Sequence, residues 1–213
     1  MLEKIRGPFK RSLDPLARLL VRCGVSANVI TFAGAVLTSV VALATGVTGW
    51  LFAGVLVMTA LVLCDALDGS VAALTTGPTV FGGFLDSTMD RVADWAILTG
   101  VGLFYLLHTD MSSVVNQVGL AAAAVAMMTS FVTPYARARA EAAGFEAKNG
   151  IASRSDRILI TFVGMGITGL GLPVVTLSGF MVLLAILGLI TVYQRMRTVY
   201  VQSVEEELTS DKA

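Results

Sequence analysis

Four aspartates, Asp65, Asp68, Asp86 and Asp90, stand in the stretch CDALDGSVAALTTGPTVFGGFLDSTMD, which contains no lysine or arginine. Asp65 and Asp68 are three residues apart, and Asp86 and Asp90 four. On helices each pair therefore points to one side. Gly77-Pro78 supplies a tight turn between them, so the pairs can face each other across neighbouring helices. Converging carboxylates repel and lose hydration, and need either protons or cations. Oxygen ligands without Cys or His suit Mg²⁺, Mn²⁺ or Ca²⁺. Four aspartates can hold two such ions, an arrangement that commonly serves phosphoryl chemistry. Gly69, Gly82 and Gly83 leave room for a ligand to approach the backbone. The plainer alternative, solvated loop aspartates, does not account for the paired spacing. Asp94 continues the face of Asp90 and suits a supporting role or a helix–helix hydrogen bond.

These acids lie in an apolar chain. Its 213 residues are 55% hydrophobic and 14% charged, with mean hydropathy +0.80. Soluble domains carry nearer a quarter charged residues, so this is the composition of an integral membrane protein. The expected fold is all-α, with six transmembrane helices near 28–46, 50–72, 82–107, 114–139, 155–170 and 174–198. Residues 8–22, FKRSLDPLARLLVRC, place Leu13, Leu16, Leu19 and Leu20 at helical spacing opposite arginines. They fit an amphipathic juxtamembrane helix, either interfacial or packed on the bundle. The expected organisation is one membrane domain: an interfacial helix in 1–24, a bundle in 25–200 and a frayed polar tail in 201–213. The N-terminus lacks the pattern of a signal peptide. Cys23 and Cys64 have no metal-ligand spacing.

The net charge is zero, but the fifteen basic residues are distributed unevenly. Lys4, Arg6, Lys10, Arg11, Arg18 and Arg22 precede the first expected span. Arg91, Arg137, Arg139, Lys148, Arg154, Arg157, Arg195, Arg197 and Lys212 fall near every second boundary thereafter. The turns near 47, 110 and 172 carry none. This bias places both termini and the acidic stretch on the cytoplasmic side of a cell membrane. No basic patch suggests nucleic acid.

The acidic stretch resembles the signature of the CDP-alcohol phosphotransferases, D-x-x-D-G-x-x-A-R-x8-G-x-x-x-D-x-x-x-D. Here it reads Asp65, Asp68, Gly69, Ala72, Gly82, Asp86 and Asp90, with every spacing kept. One position departs: Ala73 stands where the family has an arginine that contacts the CDP-lipid. Alanine offers a phosphate nothing in place of that charged fork. Within the family, PLARLLVRCGVSANVIT, DRVADW, YARARAEAAGF, SRSDRILI and QRMRTVY are similar to the actinobacterial phosphatidylinositol phosphate synthases. That resemblance implies a six-helix homodimer joining CDP-diacylglycerol to 1D-myo-inositol 3-phosphate. It implies that Asp65, Asp68 and Asp86 bind one Mg²⁺ (Mn²⁺ being possible), and that Asp65, Asp86 and Asp90 bind a second. Asp90 would also be the proton acceptor. Asn28, Val29, Ile30, Thr31, Gly69, Thr79, Gly82 and the altered position Ala73 would form the CDP-lipid segment.

The signature leaves the acceptor alcohol open. Arg137, Arg139, Arg154, Arg157 and Arg195 fall at the same side as the aspartates and could form a cationic pocket. Forked guanidinium bonds suit a phosphorylated polyol. The resemblance singles out Arg137, Arg154 and Arg195 as its ligands, whereas topology alone also places arginines here. Arg157 could instead pair with Asp156 or Glu141. Three alternatives stand beside this reading: the same chemistry on glycerol 3-phosphate, a low-activity variant caused by Ala73, and a divalent-cation transporter.

Overall fold

The structure, a computed structural model, describes residues 15–75 and 77–210. It is all-helical among those residues: α1 (Ala27–Thr48), α2 (Leu51–Leu74), α3 (Val80–His108), α4 (Val114–Ala142), α5 (Arg154–Gly169) and α6 (Val174–Ser210). All six lie where the hydropathy pattern predicts them. Four are long and apolar enough to cross a membrane: α1, α2, α4 and, over Val174–Leu208, α6. The other two differ. α3 carries Asp86, Asp90, Arg91 and Asp94 in its first half. α5 has 16 residues, about 24 Å of helix at 1.5 Å per residue.

The principal contacts close a ring, running α1 to α3, α3 to α4, α4 to α6, α6 to α5, α5 to α2, and α2 back to α1. Its interior combines large apolar side chains, among them Met58, Tyr105, Met165, Leu177 and Met181, with small and hydroxylated residues, which dominate the buried face of α1. On α1, Thr31, Ala35, Thr38, Ser39, Ala42, Thr45 and Gly46 are buried, while Val36, Val40 and Val47 are exposed. A water-soluble helix has the reverse pattern; this one suits apolar surroundings outside and close packing within. Two of these buried hydroxyls bond within their own helix: Ser39 Oγ donates to the Ala35 carbonyl at 2.7 Å and Thr45 Oγ1 to that of Val41 at 2.7 Å. The tightest approach of one backbone to another joins α1 to α3. A Cβ on Gly100 would sit 2.3 Å from the Ala42 carbonyl oxygen, and one on Gly46 2.2 Å from that of Gly100.

Helix ends follow local chemistry. Ser26 caps α1 by accepting from the Val29 amide. Gly49, at φ 76°, closes it in the left-handed conformation that glycine tolerates. Thr79 caps α3, and Ser153 with Asp156 forms a capping box at the start of α5. α6 continues to Ser210, so the polar segment after residue 200, expected to fray, is helical as far as it is described.

Residues 15–22 are helical. Ala17 packs with Leu67 and Val71 of α2, joined by Leu20 and Val21, while Leu16 and Leu19 are exposed. This part of the expected amphipathic helix thus rests on the bundle close to the acidic end. Lys4, Arg6, Lys10, Arg11, Leu13 and Lys212 lie outside the described residues.

Candidate active site

Three of the four aspartates, two from the last turns of α2 and one from the first turns of α3, come together at one end of the bundle. Asp65, Asp68 and Asp86 each offer a carboxylate oxygen, all within 4.8 Å of one another. None of the three is in an ion pair with a lysine or arginine among the described residues. Thr31 of α1 donates its hydroxyl to Asp68 Oδ2 at 2.6 Å, while Asp68 Oδ1 accepts from the Gly69 amide. Asp68 is therefore oriented from two directions. Gly34 lets α1 pass close to Asp65, since a Cβ there would stand 3.5 Å from Asp65 Oδ1. The donor set fits a hard divalent cation: three carboxylates, oxygen atoms alone, none of them in an ion pair among the described residues, and an oriented member.

The cluster borders an open cavity of about 500 Å³. Asn28 and Thr31 of α1, Asp68 and Gly69 of α2, Thr79, and Gly82 and Asp86 of α3 line it. Five of the residues expected to meet a CDP-lipid, Asn28, Thr31, Gly69, Thr79 and Gly82, are thus brought together. Gly82 holds its place tightly: a Cβ would lie 2.9 Å from Thr79 Oγ1 and 3.3 Å from Asn28 Oδ1. Gly69 and Gly83 instead face open space. Val29 is exposed, and Ile30 packs toward Leu67 and Val71. Ala73 is exposed and does not line the cavity, although its neighbour Ala72 does.

Asp90 is placed differently from the other three. It shares a narrow crevice with Asp65 and Arg154, but its carboxylate is turned to the guanidinium. Arg154 Nη1 lies 2.8 Å from Asp90 Oδ1, and Arg154 Nε lies 3.1 Å from Asp94 Oδ1. Arg91 adds contacts of 3.1 Å to Asp94 Oδ2 and 3.7 Å to Asp90 Oδ2. Arg157 Nη2 approaches Asp94 Oδ2 at 3.9 Å, and both residues are 6% exposed. Asp94 is thus the hub of a buried ion cluster. Arg157 pairs with it rather than with Asp156, which closes the capping box, or with Glu141, which pairs with Arg137 at 2.8 Å.

A backbone detail explains Arg91. Pro134 lies inside α4 and has no N–H for the carbonyl four residues earlier, that of Ser130. Arg91 Nη1 fills the vacancy, donating to that carbonyl at 3.1 Å. Nearby, Arg195 Nη1 donates to the Thr133 carbonyl at 2.6 Å, and Arg195 Nε to that of Asn149 at 3.0 Å. Arg137 and Arg195 lie within electrostatic reach of each other, as do Arg157, Arg154, Arg91 and Arg195. Arg91, Arg154, Arg157 and Arg195 thus lie near one another beside the acids, with the more exposed Arg137 next to Arg195; no contact joins Arg139 to them among the described residues. Sequence reasoning missed the strap beside Arg195: Asn149 Nδ2 donates to Thr198 Oγ1 at 2.7 Å, and the Ile151 amide to Gln194 Oε1 at 3.2 Å.

A model of the CDP-alcohol phosphatidyltransferase family matches residues 24–194, which include the four aspartates, the cavity residues Asn28, Thr31, Gly69, Thr79 and Gly82, and Arg154, and end one residue before Arg195. The chain belongs to that family. Among curated CDP-alcohol phosphatidyltransferase relatives, the phosphatidylinositol phosphate synthase of Cutibacterium acnes is 38% identical over 203 residues, covering 92% of this chain and 96% of that one. Two crystal structures of the Mycobacterium tuberculosis phosphatidylinositol phosphate synthase are 35% identical to it. The one with CDP-DAG bound superposes with TM-score 0.83, covering 89% of this chain and 94% of that chain. The one in complex with manganese and citrate gives 0.82, covering 87% and 88%.

Proposed function

We propose that this chain transfers the phosphatidyl group of CDP-diacylglycerol to 1D-myo-inositol 3-phosphate, giving phosphatidylinositol phosphate and CMP. The observation that carries the reading is the junction of two opposite charge environments. A triad of unpaired carboxylates borders the cavity, and an arginine group lies immediately beside it. The first suits a metal-bound pyrophosphate, the second a phosphorylated acceptor. The relatives' names support the product, and the Mycobacterium tuberculosis structure with CDP-DAG bound supports the donor.

The cavity between the starts of α1 and α3 would receive the nucleotide, with Asn28, Thr31, Gly69, Thr79 and Gly82 around it. Asp65, Asp68 and Asp86 would hold one Mg²⁺ or Mn²⁺, and Asp65, Asp86 and Asp90 a second. When bound, such ions neutralise charge developing on the pyrophosphate. The acceptor hydroxyl attacks the β-phosphorus, a new P–O bond forms, and the phosphoanhydride bond to CMP breaks. Asp90 takes the hydroxyl proton. Arg154 and Arg195, with Arg137 at the rim, receive the acceptor's phosphate. Ala73 leaves one donor contact of the family unfilled, so Ala73→Arg should lower the donor KM.

In this reading all six helices cross the cell membrane, both termini and the site are cytoplasmic, and the protein is a homodimer. The transporter alternative is less well supported, because the acids gather at one end of the bundle beside an open cavity. Asp90→Asn tests the assignment of the base: CMP release should vanish while the protein still folds in detergent. Retained turnover at saturating Mg²⁺ would refute it. Glycerol 3-phosphate should compete poorly with the inositol phosphate, and preferred use of it would move the reading to the alternative acceptor.

A further inference from the structure

The ion cluster around Asp94 contains two carboxylates, Asp90 and Asp94, against three guanidiniums, Arg91, Arg154 and Arg157. The excess charge is positive. Asp94 is 6% exposed, and a carboxylate that deep must be matched to its partners. Its partners come from two helices: Arg91 from its own α3, and Arg154 and Arg157 from α5. Arg91 and Arg157 already have structural roles, on the Ser130 carbonyl and in the helix packing. Arg154 is the partner that is more exposed, at 29% of its side chain. It contacts Asp90 at 2.8 Å, closer than Arg91 at 3.7 Å, and is the one of the three that lines the crevice with Asp65.

The division of labour within Arg154 is specific. Nε is hydrogen-bonded to Asp94, and Nη1 contacts Asp90. A guanidinium held at Nε keeps its plane and can offer its outer nitrogens to a second anion. The capping box of Ser153 and Asp156 fixes the backbone from which Arg154 springs. The remaining freedom is in its side chain, and Asp94 removes it.

We infer that Asp94 is a positioning residue: it holds the Arg154 guanidinium by Nε so that the outer nitrogens are aimed at the acceptor's phosphate. This rests on the proposed role of Arg154. Asp94 itself touches neither substrate, so its effect must pass through Arg154 and fall on the acceptor.

The test is steady-state kinetics of CMP release by Asp94→Asn, Asp94→Glu, Arg154→Ala and the Asp94→Asn/Arg154→Ala double variant, with both substrates varied. Asp94→Asn should raise the acceptor KM by about tenfold while the CDP-diacylglycerol KM stays within about twofold. Asp94→Glu, which keeps the charge, should recover part of the loss. The double variant should be no worse than Arg154→Ala alone, because residues acting through one another are not additive. Equal loss on both substrates, additive loss in the double variant, or failure of Asp94→Asn to fold would each overturn the inference. If Arg154→Ala raises the acceptor KM and Asp94→Asn does not, the positioning role fails and the acceptor reading stands. If neither variant moves it, the arginine reading itself falls.

Discussion

Asp68 shows how one side chain can set the quality of a metal site. Its Oδ2 accepts from Thr31 at 2.6 Å, across 37 residues of sequence. Partners that orient a ligand commonly matter almost as much as the ligand. Thr31→Val keeps the shape and removes the donor, so metal affinity should fall by about tenfold, the lower end for such a loss. CMP release titrated with Mg²⁺ should show a higher half-saturation and near-normal turnover at excess metal; an unchanged titration would remove Thr31 from this role. At this scale the aspartates were legible because their spacing states a helical face directly. The pairing of Arg154 and Arg157 with Asp94 was not. Asp156 and Glu141 are nearer partners in sequence for Arg157, and only the packing of α5 against the bundle shows that both are already committed. Asp90 was likewise grouped with the other acids by spacing, whereas in the fold an arginine from 64 residues away occupies its carboxylate.

Elements carry the next layer. The six helices and their turns followed from hydropathy and from glycine and proline punctuation, and four of the helices are long and apolar enough to cross a membrane. Less legible was what Pro134 does inside α4. It frees the Ser130 carbonyl, and the carbonyl recruits Arg91, which binds α3 to α4 and contacts Asp94. Arg91→Leu should destabilise the protein by about 1–3 kcal/mol, the cost of a buried acceptor left unpaired. Adding Pro134→Ala restores a helix N–H to that carbonyl and should recover part of the loss. Thermal unfolding in detergent measures both, and absence of recovery would mean that the carbonyl is not the origin of the cost. The loop strapped to α6 by Asn149 and Gln194 escaped prediction for a plain reason. Its bonds join residues more than 40 positions apart, and no local pattern records them.

For the molecule as a whole, the ring of helices places the aspartate cluster and the arginines at one end and the turns without lysine or arginine at the other. Its outside is apolar and its inside mixes large apolar with small and hydroxylated side chains, and hydropathy alone did not show which face was which. The proposed orientation predicts that Ser112→Cys, with Cys23 and Cys64 replaced, reacts with a membrane-impermeant maleimide in intact cells. Ala143→Cys should react only after permeabilisation, and the reverse pattern would invert the topology. Composition and signature spoke clearly to membrane residence and family; the acceptor depended on arginines whose arrangement exists only in the fold. The most direct measurement is therefore phosphatidyl transfer by the purified protein, supplied with CDP-diacylglycerol and 1D-myo-inositol 3-phosphate, with Mg²⁺ or with excess chelator. Phosphatidylinositol phosphate and CMP should form in equal amounts with Mg²⁺ and cease with chelator, returning when metal is restored. Transfer that persists without divalent metal, or no transfer to the inositol phosphate under any metal, would contradict the account.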